Sequence, residues 1–111
     1  MDESARSGEK GPLETITRFD RLLEHRLRLA LMVLLSQFDA LSFARLKQLT
    51  GETDGNLAGK LRRLEEAGYV GVRKEFQDRR PITWYALTDQ GRGALSSHLA
   101  ALADLVQQVA E

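Results

Sequence analysis

The stretch that most constrains this chain is LKQLTGETDGNLAGKLRRLEEAG, from Leu46 to Gly68. It reads as a short helix, a turn at Gly51, and a longer second helix from about Asp54 to Ala67. Thr53 stands where an N-cap belongs, since its hydroxyl can accept from an orphan amide of the first turn. Leu57, Leu61 and Leu64 fall at i, i+4 and i+7, so they share one face, and that face must be buried. The opposite face carries Asn56, Gly59 and Arg63, with Lys60 and Arg62 on its flanks. Leucines anchor such a helix, and short polar, backbone-close and cationic groups point outward. A DNA major groove requires that combination, although an ordinary amphipathic helix with a solvated face shares it.

The flanking segments narrow the choice. Gly68 has the position and type of a C′ residue that ends the second helix. Tyr69 to Phe76 then alternates, with Val70, Val72 and Phe76 on one side and Tyr69, Arg73 and Glu75 on the other. Gln77 to Pro81 forms a polar turn, and Ile82 to Leu87 alternates again, so the pair reads as a β-hairpin. Gly71 marks close backbone packing or a bulge. Upstream, Ile16, Phe19, Leu23, Leu27, Ala30 and Leu34 are spaced 3, 4, 4, 3, 4, a helical stripe running from Leu13 to Phe38. Leu29, Leu31, Met32, Val33 and Leu35 widen it until the helix belongs inside the domain or between two subunits. A bend between Glu24 and Arg28 is left open. Leu41 to Phe43 is a connector, and Ser42 caps a helix from Phe43 to Leu49 whose Leu46 and Leu49 point inward.

Thr88 caps a last helix, where Leu95, Leu99, Leu102, Val106 and Val109 are spaced 4, 3, 4, 3. That is an a/d repeat, a face made for another helix. The partner is either the Leu13–Phe38 helix of the same chain or a second copy. Because the first three helices already supply a core, a dimer seam is favoured, with Ile16, Phe19 and Leu23 joining it.

At 111 residues the chain makes one domain. It has no cysteine, so it can form neither a disulfide framework nor a thiolate metal site, which suits the cytoplasm. The N-terminus lacks an apolar signal core, and the longest apolar run, Leu29 to Leu35, is too short to span a bilayer. No cofactor, metal or membrane partner is expected. Net charge is zero, but residues 1–20 carry three cations against five carboxylates, whereas residues 56–80 carry seven against four. The positive face therefore sits on the second helix of the Leu46–Gly68 stretch and on the hairpin. Gly55 to Lys60 is no phosphate loop, because Leu61 stands where a Ser or Thr must bind magnesium. Ser97, His98 and Asp104 lie on one helix without a nucleophile turn, so an enzyme is not expected.

Helix, helix-turn-helix, two-strand hairpin, helix is the layout of a winged helix-turn-helix. The fold expected is mainly α with a small β-hairpin: a three-helix core, a wing and a C-terminal dimerisation helix. Residues 1–12 are expected as a disordered leader and 13–111 as the domain. From His25 to Leu95 the chain resembles winged-helix transcriptional regulators of the MarR/ArsR-like group. The most specific pieces are TDGNLAGKLRRLEEAGYV (Thr53–Val70) and RRPITWYALTDQGR (Arg79–Arg92).

That resemblance implies double-stranded DNA binding as a homodimer, usually to repress a promoter. Metal sensing, which some members perform through clustered Cys and His, is not carried over to a chain without Cys. On the recognition helix, 54–67, the expected DNA-binding residues with its cap are Thr53, Asp54, Asn56, Gly59, Lys60, Arg62 and Arg63. On the wing, 76–82, and the strand leading to it, they are Lys74, Gln77, Arg79 and Arg80, with Ser42 on the backbone. An Asn56 amide suits an adenine edge, and Arg63 or Lys60 suits guanine or a phosphate. Gly55 and Gly59 each cost a helix roughly 1 kcal/mol relative to alanine, which is consistent with a bare backbone wanted against something large. The alternative is a winged-helix module that binds protein through its first and last helices.

Overall fold

The computed structural model describes residues 11–110. In order, these form α1 (Pro12–Thr17), a 3-10 turn (Arg21–Glu24), α2 (Arg26–Ser36), β1 (Leu41–Ser42), α3 (Phe43–Thr50), α4 (Asp54–Glu66), β2 (Val70–Gln77), β3 (Arg80–Leu87) and α5 (Asp89–Ala110). The fold is the expected one, mainly helical with a small antiparallel sheet and a long C-terminal helix. Pro12 opens α1, so the helix begins inside the stretch expected as leader. Residues 1–10 of that stretch lie outside the described residues.

The long N-terminal helix is not continuous. It breaks twice, at residues whose side chains offer the backbone an alternative to helix. The Asp20 carboxylate accepts from the Leu22 amide at 2.9 Å and starts the 3-10 turn. His25 is extended (φ −91°, ψ 125°), and its Nδ1 accepts from the Leu27 amide at 3.2 Å, capping α2. Arg28 Nε donates to the Leu22 carbonyl at 2.7 Å and holds the bend. The breaks put the stripe out of phase: Leu23 and Leu27 are buried, but Ile16 and Ala30 are exposed.

The core joins Leu23 and, from α2, Leu27, Leu31, Met32 and Leu35 to Leu46, to Leu57, Leu61 and Leu64 of α4, and to Leu41, Val70, Leu87 and Leu95. Each fully buried leucine contributes about 2 kcal/mol. The three on α4 therefore outweigh the roughly 1 kcal/mol cost of Gly55 and of Gly59. Leu49 differs from expectation: Leu46, with Phe43 packed partly against the core, anchors α3, and Leu49 is exposed at the helix end.

The sheet has the order β1-β3-β2. β1 is only two residues long, too short to show alternation in a sequence, and pairs Leu41 with Tyr85 and Ser42 with Trp84. The hairpin register runs unbroken from Val70↔Leu87 to Gln77↔Arg80, so Gly71 marks no bulge. A Cβ there would meet Thr88 Cγ2 at 3.9 Å, an ordinary contact. The five-residue turn shrinks to two residues, Asp78 and Arg79, at φ 51° and 67°. Paired left-handed residues match the twist of the strands they join.

A close approach that sequence alone does not reveal fixes the base of the hairpin. Gly68 ends α4 at φ 81°. Thr88 Oγ1 accepts from the Gly91 amide at 3.0 Å, capping α5, and donates to the Gly68 carbonyl at 2.6 Å. A Cβ on Gly91 would lie 2.1 Å from the Tyr69 carbonyl oxygen. The ends of α4, β2 and α5 thus meet at one glycine.

On α5 the buried residues are Gly91, Leu95, His98 and Ala101. α1 runs beside this helix in the same chain. Gln108 Nε2 donates to Thr15 Oγ1 at 2.7 Å, Arg18 pairs with Asp104, and the Asp20 amide donates to His98 Nδ1 at 3.0 Å. Phe19 sits edge-on to His98 at 5.3 Å and is half-buried. Leu23 and Leu95, expected in a dimer seam, instead lie in the monomer core at 0% and 6% exposure. They fill the joint where the 3-10 turn and α5 close on α2, so they leave no surface for a partner. No helix among the described residues is long and apolar enough to cross a membrane.

Candidate nucleic-acid interface

Because Leu57, Leu61 and Leu64 are buried, α4 turns its other side outward. Thr53, Asp54, Gly55, Asn56, Gly59, Arg62 and Arg63 are exposed, and Lys60 is half-buried. Thr53 Oγ1 accepts from the Asn56 amide at 3.2 Å, so the helix begins as the cap predicted. A Cβ built on Gly55 or Gly59 would find nothing within 4 Å. Their bareness therefore does not serve packing against the described part of the chain.

The polar groups on this face differ in how free they are. Asp54 pairs with Lys47 of α3 at 2.7 Å, tying the two helices at the turn. Both ends are well exposed, so the pair contributes at most about 1 kcal/mol. Asn56 Nδ2 donates to Glu52 Oε2 at 2.6 Å. The carboxylate thus orients the amide and leaves its oxygen and second hydrogen outward. Glu52 was not among the expected site residues.

Among the described residues Lys60, Arg62 and Arg63 form no ion pair within 4.0 Å. Lys60 faces the start of α2. Desolvation first, then the charges of Lys60, Arg28 and Arg26, lower the His25 pKa below its ordinary value, against a raising pull from Glu52. That favours the neutral imidazole, whose Nδ1 the α2 cap requires.

The register sorts the wing. Val70, Val72, Lys74 and Phe76 lie opposite Leu87, Tyr85, Thr83 and Pro81 on one face; Arg73, Glu75 and Gln77 lie opposite Trp84, Ile82 and Arg80 on the other. Arg73 Nε bonds Glu75 Oε1 at 2.7 Å, so that cation is matched within its own strand. Lys74, Gln77, Arg79 and Arg80 are exposed, and among the described residues the three cations form no ion pair. Ser42 Oγ accepts from the Arg45 amide at 3.1 Å and caps α3, which leaves its O–H to donate outward. Phe76 shares its strand side with Val70 and Val72, but Val70 is buried and Phe76 is 78% exposed. Its strand outruns the helices beneath it.

The base of the wing is tied to the segment between α1 and the 3-10 turn. Tyr69 O–H donates to Asp20 Oδ2 at 2.5 Å. That bond first, then burial and the Asp20 charge, raise the Tyr69 pKa to about 12.

An outward cationic helix after a capped turn, with a wing rigidly based beside it, defines the winged-helix class of transcriptional regulators. Comparison with known proteins agrees. A family model described as a winged helix DNA-binding domain matches residues 27–106. The chain belongs to that family. An uncharacterized protein of Methanocaldococcus jannaschii is 30% identical over 82 residues, covering 74% of this chain and 89% of its own. Among solved structures, the transcriptional regulator homologue protein of Pyrococcus horikoshii OT3 aligns at TM-score 0.80 and 28% identity, over 88% of this chain and 96% of the other. A structure assigned to the MarR family of transcriptional regulators, from Enterococcus faecalis V583, aligns at TM-score 0.64 and 26% identity, over 99% and 90%.

Proposed function

We propose that this DNA-binding protein is a homodimeric, sequence-specific repressor in the cytoplasm. In this reading recognition helix 54–67 enters the major groove and wing 76–82 grips the flanking backbone or minor groove. One observation carries it: the face of α4 bearing Asn56, Gly59 and Arg63 is bare, next to cations that lack carboxylate partners among the described residues. Asn56, oriented by Glu52, takes an adenine edge; Arg63 takes guanine O6/N7. Lys60, Arg62, Lys74, Arg79 and Arg80 neutralise phosphates, with Thr53, Gln77 and Ser42 as neutral donors.

Exposed apolar residues on α1 (Leu13, Ile16) and α5 (Leu99, Val106, Val109) support dimerisation. Leu102, half-buried, would contribute its outer side. A two-fold dimer would place its recognition helices about 34 Å apart, one turn of duplex.

Electrophoretic shift against the protein's own upstream DNA tests the reading. Arg63→Ala is expected to weaken binding by about 1–3 kcal/mol and relax one base position. Arg79→Ala with Arg80→Ala is expected to weaken binding to all duplexes and flatten the salt dependence. Binding indifferent to all three substitutions would remove the assigned surface.

A further inference from the structure

We propose that Phe76 is a wedge, inserted between base pairs from the minor groove at a flexible step beside each half-site. The inference rests on the DNA-binding reading above and gives the wing a second task besides holding phosphates. Phe76 stands on the last cross-strand pair before the closing pair of the hairpin, opposite Pro81. Both are exposed, and Phe76 is 78% so.

Gln77↔Arg80 closes a two-residue turn, so the next pair, Phe76↔Pro81, is a non-hydrogen-bonded one. Proline therefore takes no bond from the β2–β3 ladder, and its side chain stands close to the phenyl ring on the same face. Asp78 and Arg79 in the left-handed region make the tip a tight turn rather than a loose loop. The result is a short, stiff apolar prow.

What surrounds the prow identifies its partner. Lys74 lies on the same face, and Arg79 and Arg80 follow in the turn; among the described residues none of the three is paired. Asp78 is the carboxylate at the tip, and Glu75, on the other face, is matched by Arg73. A phenyl ring and a proline flanked by unpaired cations suit neither an acidic protein groove, which gives the ring no pocket, nor bulk water. They suit a polyanion with stacked apolar steps. Aromatic and proline wedges enter such steps from the minor groove and kink the duplex by about 20–90°. Pyrimidine–purine steps, TA and CA/TG, yield most easily, so Phe76 reads deformability without touching a base edge.

The test uses the full chain and duplexes that the wild-type protein selects from a random pool. Expected for Phe76→Ala is an affinity loss on the order of ten-fold, a straightened complex in circular-permutation gel shifts, and an unchanged salt slope. Reselection with this variant should lose any TA or CA/TG preference flanking the half-sites. Phe76→Leu, still an apolar wedge, should keep most of the bend. Thermal midpoints should match wild type for both variants, since the side chain is exposed. A Phe76→Ala complex as bent as wild type overturns the wedge whether or not affinity falls, while the DNA-binding reading stands through the Arg63 and Arg79/Arg80 results. A wild-type protein that retains no duplex from the pool overturns both.

Discussion

α4 and α5 carry the same kind of signal and meet opposite ends. Each has apolar residues at helical spacing, yet Leu57, Leu61 and Leu64 of α4 all disappear into the core. Along α5 the stripe emerges instead: Leu95 is buried, Leu99 is 42% exposed, Val106 66% and Val109 83%. The face that the neighbours take explains the difference. The three leucines of α4 all lie on the side turned to the core. On α5 the covered side holds Leu95, His98 and Ala101 and reaches as far as Gln108, which bonds Thr15 of α1, while Leu99, Val106 and Val109 lie to one side of it. A periodic stripe says that a face needs covering; which face the neighbours take decides whether the same chain does it.

The sharpest way to break this comparison is to cut the same kind of contact in both helices. Leu61→Ala is expected to destabilise by about 2–5 kcal/mol, the range for a buried leucine leaving a cavity. It should do so at every protein concentration. Val106→Glu should leave the fold of the single chain intact within about 0.5 kcal/mol, since an exposed substitution touches no core. Its effect should appear in sedimentation as loss of the dimer, with stability no longer rising with concentration. Equal losses in both variants, independent of concentration, would mean that α5's outer stripe is covered within the subunit.

The same contrast explains what the sequence could disclose. The helix-turn-helix was legible because its signals are local: Ser42 and Thr53 as caps, Gly51 and Gly68 as stops, and three leucines on one face all act within a few residues. A bend between Glu24 and Arg28 was left open, and His25 makes it; the break at Asp20 was not legible, because its side chain had to be seen capturing an amide two residues on. β1 was invisible at two residues, since its identity depends on Tyr85 and Trp84, more than forty positions away. Leu95, expected in a dimer seam, lies in the core, and Phe76, which shares a strand side with buried Val70, is left to solvent. Glu52 carried no signal of its own, since only the fold shows its carboxylate bonded to the Asn56 amide. The cationic face was legible in kind, but which of its members stay unpaired depends on where α3 brings Lys47 and where β2 sets Glu75.

A second prediction concerns the joint that ties the base of the wing to Asp20. The Tyr69 phenol is raised from its ordinary 10.0 to about 12 because its proton serves Asp20. A raised pKa stabilises the fold while the group is protonated, that is, fully below pH 10. The contribution is lost as pH climbs from about 10 toward 12, where the folded form also ionises. Tyr69→Phe should lower stability at neutral pH by about 1.5–3 kcal/mol, as for a bond to a charged acceptor. It should also flatten the alkaline decline between those values in a pH series of thermal midpoints. A variant whose alkaline decline matches wild type would assign it to other tyrosines or lysines.

The smallest effect tests the recognition face most directly. Gly59 is helical, and a Cβ there would meet nothing within 4 Å. Gly59→Ala should therefore stabilise the protein by about 0.5–1 kcal/mol, mainly by restricting the unfolded chain. A glycine kept where alanine would stabilise the fold needs a reason outside the fold. If a duplex lies on that side, the added methyl stands between backbone and base edges, and affinity should fall even as the melting temperature rises. Opposite signs in the two measurements would separate a face shaped for DNA from one merely left to water. Binding that stays level or tightens while stability rises would mean that the duplex does not approach α4 at Gly59, and that the wing carries the contact instead.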